Sequence, residues 1–108
     1  MANVFRVKPS VSSTTTADNA AAAVTIADQT SASHFITGIS ASFSVSQATA
    51  KLMTVTDAGT TVGNYHVFGD RDIIFSSPLE IKGAAVVSLP ASGTAGQIGA
   101  VTVHYYTL

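Results

Sequence analysis

Hydrophobic and polar residues alternate with a period of two along most of this chain, almost to its last residue. The clearest run is His34 to Val45. Phe35, Thr37, Ile39, Ala41, Phe43 and Val45 fall on one face, and His34, Ile36, Gly38, Ser40, Ser42 and Ser44 on the other. Successive side chains of a strand point to opposite sides, so this run predicts a long strand with one buried face. Ala20 to Ala23 has helical propensity. Val24-Thr25-Ile26 follows at once, however, and the whole segment reads as a strand. Ala50–Thr56 and Thr60–Phe68 predict a hairpin about the three-residue connection Asp57-Ala58-Gly59, with Gly59 placed for the left-handed conformation.

Gly69-Asp70-Arg71 turns the chain, and Ile73-Ile74-Phe75 predicts a short strand. Pro78 has no N–H to give a ladder, which confines nearby pairing to a sheet edge or a strand start. Leu79-Glu80-Ile81-Lys82 alternates, and so does Ala85 to Leu89. Pro90 to Gly96 is a loop. The closing strand, Ile98 to Tyr106, places Val101, Val103 and Tyr105 on one face and Thr102, His104 and Tyr106 on the other. About eight short strands with turn signals between them and no convincing helix predict an all-β fold. The expected architecture is an antiparallel β-sandwich, jelly-roll-like.

Residues 1 to 19 depart from this pattern. After Pro9 comes Ser10-Val11-Ser12-Ser13-Thr14-Thr15-Thr16, a hydroxyl run with little to bury. The expected organisation is an extended N-terminal arm over residues 1–19 and one sandwich domain over 20–108. The arm reads either as a flexible terminus or as a segment ordered against a neighbour. Phe5, inside the alternating Val4-Phe5-Arg6-Val7-Lys8, favours pairing, because a purely solvated tail has no use for it.

Composition narrows the function. Ser and Thr fill 27 of 108 positions, against five Lys or Arg and six Asp or Glu. The polar faces are therefore built from small hydroxyls instead of ions. The formal net charge is −1, and no basic run could follow a phosphate backbone, so neither nucleic acid nor an anionic membrane is an expected partner. No apolar stretch reaches the roughly 18 residues of a membrane span. The N-terminus has no apolar core of a secretory signal, so none is expected. Without cysteine the chain makes no disulfide and offers no thiolate ligand.

Candidate chemistry is sparse. His34, His66 and His104 are far apart in sequence, so a metal site would require them to meet across strands; the plainer reading is hydrogen bonding at the surface or between subunits. Asp70-Arg71-Asp72, the one dense charged cluster, reads as a turn with a local ion pair. There is no Gly-x-Ser-x-Gly elbow, and the Ser92–Gly96 loop lacks the lysine of a phosphate-binding loop. No catalytic residue, metal or cofactor is assigned, and an enzyme is not expected. Phe35, Phe43 and Phe75 read as core. Phe5, Tyr65 and Tyr106 are the candidate partner-binding residues, since a tyrosine ring with a polar tip suits a half-wet interface.

One further feature is the order of the segments. His34-Phe35-Ile36-Thr37-Gly38-Ile39-Ser40-Ala41-Ser42-Phe43 leads to the Asp57-Ala58-Gly59 hairpin. Ile74-Phe75-Ser76-Ser77-Pro78-Leu79, Gly83-Ala84-Ala85-Val86-Val87, Ala91-Ser92-Gly93 and Ile98-Gly99-Ala100-Val101-Thr102-Val103 follow. Over about residues 20 to 106 this series resembles the small β-sandwich decoration, or cement, proteins of tailed-bacteriophage heads. The resemblance implies a jelly-roll-like homotrimer on the outer capsid surface of the virion. There it would bind the major capsid protein and stabilise the head lattice. It carries no site residue across, because that family binds through surfaces. The alternative expectation is a tail-fibre or adhesin β-sandwich module that binds a host glycan, with Tyr65 and Tyr106 as its platform; a generic structural subunit of another assembly is a third.

Overall fold

The computed structural model describes residues 11–108. The described chain is all-β, with strands β1 (Val11–Asp18), β2 (Ala22–Ile26), β3 (His34–Phe43), β4 (Lys51–Asp57), β5 (Thr60–Val67), β6 (Arg71–Ile81), β7 (Ala85–Leu89) and β8 (Ile98–Thr107). They form two four-stranded antiparallel sheets, ordered β1-β8-β3-β6 and β2-β7-β4-β5. Only the β4–β5 hairpin stays within one sheet; every other connection crosses to the opposite sheet. The result is the β-sandwich that the alternation predicts.

The core lies between the sheets. Ile36, Ile39, Ala41, Phe43, Val101 and Val103 point into it from the first sheet, and Ala22, Val24, Met53, Val55, Val67, Val87 and Leu89 from the second. Each fully buried Val, Leu, Ile or Met contributes roughly 1.5–3 kcal/mol relative to exposure. The closing strand has the expected faces, with Val101 and Val103 buried and Tyr105 packed against the core.

Three expectations need correction. The first concerns β3, whose alternation is interrupted. Its pairing with β8 shifts between Ile36 and Gly38, leaving Thr37 as a bulge. One extra residue reverses the faces. His34 and Ile36 are therefore buried ahead of the bulge, Ile39, Ala41 and Phe43 behind it, and Phe35 points outward. Phe43 is core as expected; Phe35 is not. The second concerns residues 71–81, which form one strand instead of two. Phe75-Ser76-Ser77-Pro78 bulges out opposite Thr37, between the Ile74–Gly38 and Leu79–Ile36 pairs. The strand lies at the sheet edge, where Pro78 costs no ladder bond. The third is the hairpin connection. Asp57 pairs with Thr60, so only Ala58 and Gly59 turn the chain, both at positive φ (49° and 88°). That is the signature of a type I′ turn, whose twist matches the flanking strands.

The stretch expected as an extended arm is extended over Val11–Asp18. There it is strand β1, paired with β8 along its whole length. A hydroxyl run can do this because its partners are also hydroxyls and an imidazole. Thr14 Oγ1 lies 2.8 Å from Thr102 Oγ1, and Ser12 Oγ lies 2.7 Å from His104 Nδ1.

Candidate interaction surfaces

The pairing register fixes what each outer face displays. On the first sheet, Thr14, Thr102, Ser40 and Asp72 form one cross-strand row. The next row is Ser12, His104, Gly38 and Ile74, and beyond the bulge Tyr106, Phe35 and Glu80 stand side by side. The second sheet displays Thr25, Val86 and Thr56 in one row and Ala23, Ser88, Thr54 and Asn64 in another. Among the described residues, every charged side chain sits in a loop, at a strand end or on the edge strand β6. The outward positions of β2, β3, β7 and β8 are small, hydroxylic, apolar or aromatic.

The charged groups at the ends shape turns. Asp57 accepts from the backbone N–H of Lys82 (3.1 Å) and of Gly83 (2.8 Å), which locks the β6–β7 turn against the hairpin. Asp18 accepts from Gly96 N–H at 2.8 Å. Arg71, expected to pair locally with its neighbouring acids, donates to the carbonyl of His66 at 2.8 Å and lies 5.8 Å from the Tyr65 ring centroid.

The histidines do not converge. His34 is 4% exposed, which corrects the surface reading. Its Nε2 lies 2.7 Å from the Ala27 carbonyl oxygen and its Nδ1 2.8 Å from Thr107 Oγ1, so the ring clamps the β2–β3 loop to the end of β8. His104 sits on the outer face and His66 is exposed on β5. No group of three or more His, Asp or Glu that could hold a metal occurs among the described residues.

The candidate partner-binding residues lie apart. Phe5 falls outside the described residues. Tyr65 is half-buried on β5, packed against the core and edge-on to Phe75 of β6, with ring centroids 6.3 Å apart at 75°. Tyr106 stands on the outer face of the first sheet, stacked on Phe35 at 5.1 Å and 13°. Tyr65 and Tyr106 therefore form no shared platform. The stacked pair exists because the Thr37 bulge turns Phe35 outward, a relation that strict alternation along β3 conceals.

Two outer features lie outside the sequence expectations. Ile74 is 86% exposed, the most exposed large apolar residue described, and it faces Gly38, which has no side chain to cover it. Beside it is an open depression of about 260 Å³ lined by Ser40, Ser42, Ala100, Thr102 and the carboxylates of Asp70 and Asp72. No protein-family model and no curated protein sequence matches the chain.

Proposed function

We propose that the chain is a structural subunit of the capsid-decoration type, a cement protein that binds the outer surface of a tailed-bacteriophage head and reinforces its lattice. The observation that carries this reading is the distribution of charge. The described charges lie in loops, at strand ends and on β6, and broad outer faces of Ser, Thr, Ala and Val are left between them. Small side chains let another surface approach the backbone closely and lose little rotamer entropy when covered. The strand orders β1-β8-β3-β6 and β2-β7-β4-β5 are read as two interleaved Greek keys, a jelly roll, an architecture common in viral coat subunits. A homotrimer would close through three equivalent head-to-tail contacts and cover sheet edges that otherwise invite uncontrolled pairing. Three weak contacts made together at one lattice point would raise the effective affinity well above that of one.

The stacked Phe35–Tyr106 pair beside Glu80 favours a second reading, a glycan-binding module of a fibre or adhesin. Co-sedimentation with expanded shells of a tailed-bacteriophage major capsid protein separates the two. The decoration reading expects saturable binding at a fixed number of copies per shell and no retention on a glycan array. Glycan retention without shell binding would replace it with the second reading.

A further inference from the structure

Among the described residues the sandwich has four open strand edges, β1 and β6 in one sheet and β2 and β5 in the other. A cluster of outward-facing carboxylates distinguishes β6, where Asp72 and Glu80 flank Ile74 and Asp70 precedes Asp72 at the same depression; the one carboxylate of β1, Asp18, is bonded to Gly96 N–H. The bulge at Phe75–Pro78 blocks pairing beyond it and leaves Arg71–Ile74 as the straight, open stretch. Side chains on the two sides of this edge differ in kind. Outward lie Asp70, Asp72 and Ile74, above a floor of Ser, Ala and Thr. Inward lies the half-buried Tyr65–Phe75 pair, at the open seam between β5 and β6.

The chain itself contains a segment with the complementary alternation. In Val4-Phe5-Arg6-Val7-Lys8, Arg6 and Lys8 fall on one side and Phe5 and Val7 on the other. Of the three remaining cations, Arg71 is engaged with His66 and Tyr65, and Lys51 and Lys82 sit beyond the outer face at strand ends. Ten residues precede Val11, and at about 3.3 Å per extended residue they could reach roughly 30 Å from the sandwich. Val11 lies at the opposite edge of the sheet from β6. Its own β6 lies across the whole outer face, past β8 and β3, whereas a neighbouring copy offers the same edge directly.

We propose that residues 4–8 of one copy add as a short strand to the Arg71–Ile74 edge of the next copy. Arg6 and Lys8 then face Asp70 and Asp72, their aliphatic stems cover Ile74, and Phe5 and Val7 close over Tyr65 and Phe75. The contact is head-to-tail, and with a rotation of one third of a turn between copies it closes as a ring of three. The inference rests on the self-association in the functional reading above and is independent of the capsid.

Light scattering on a sizing column tests it with five chains: the full chain, the chain lacking residues 2–10, R6E/K8E, D70K/D72K, and all four substitutions combined. The altered acids are exposed, and circular dichroism confirms that each chain folds. The full chain is expected at three times the mass of one chain. The truncation and each half-reversal fall threefold, and the combined variant, with its complementarity restored, regains the trimer. A full chain that stays monomeric at all concentrations overturns the inference. So does a truncated or half-reversed chain that keeps the trimer mass, or a combined variant that stays monomeric. A monomer that still binds capsid shells would remove the strand exchange and leave the decoration reading standing, whereas a ring that ignores shells would do the reverse.

Discussion

Gly83 and Ala58 are packed so closely that a methyl group on Gly83 would lie 2.9 Å from Ala58 Cβ. The same methyl would approach Asp57 Oδ1 to 3.1 Å, the atom that accepts the Gly83 N–H. Hairpin, carboxylate and β6–β7 turn thus form one unit at this end of the sandwich. Gly83→Ala is expected to destabilise the fold by roughly 1–3 kcal/mol, the usual range for overpacking. Urea denaturation measures it; a loss under about 0.5 kcal/mol would mean the turn has room to move.

Ala58 itself holds the left-handed conformation at φ 49°, which an alanine side chain disfavours. Ala58→Asn supplies a residue that tolerates this region and completes the Asn-Gly pair favoured in type I′ turns. An increase in stability of about 0.5–1 kcal/mol is expected in the same assay. No gain would indicate that the turn relaxes in solution.

Phe43 and Phe35 test the Thr37 bulge. Without it both would share a face; with it Phe43 is 5% exposed in the core and Phe35 stacks on Tyr106 outside. Phe43→Ala should cost about 3–5 kcal/mol, as buried Phe truncations do. Phe35→Ala should cost about 1 kcal/mol, near the value of an aromatic pair. Equal losses would place both rings in the core and remove the bulge.

His34 bridges Ala27 and Thr107 from within the sandwich. Thr107→Val leaves Nδ1 of a buried imidazole without its partner, at an expected cost of about 1–3 kcal/mol. Thermal denaturation reads this as a drop of several degrees. An unchanged melting temperature would show that solvent replaces the hydroxyl.

Removal of residues 2–10 releases monomers but should leave a β-type circular dichroism spectrum and a cooperative melting transition, since the strand pairing described begins at Val11. Extending the deletion to residue 16 strips most of β1 from β8 and should lower the melting temperature by roughly 5–10 °C. Equal melting temperatures would mean that β1 pairs without stabilising the sheet.

The legible parts of the fold were those where alternation separates apolar from polar residues, as in Val101-Thr102-Val103-His104 and Ala85-Val86-Val87-Ser88-Leu89. Strand β1 is hard to read because Ser12 to Thr16 contains no apolar residue to alternate; its pairing depends on Thr102 and His104, 88 and 92 positions from their partners. The Thr37 bulge was hidden because the residues on both sides of it are apolar, so either face could be the buried one. Ser76-Ser77-Pro78 looks like a break, and only the edge position of β6 lets it be a bulge. The placement of Tyr65 and Tyr106 on different surfaces follows from these registers, which composition does not encode. Ile74 and the Asp70–Asp72 depression became visible only when β6 was laid beside β3.

The proposed role, reinforcement of a capsid shell, is open to direct measurement. The most direct measurement is the temperature at which expanded capsid shells rupture, followed by light scattering with and without saturating protein. A chain that stabilises the lattice raises the rupture temperature in proportion to its occupancy until the sites are full. A rupture temperature that stays constant at full occupancy, or shells that bind none of the chain, would contradict the claim.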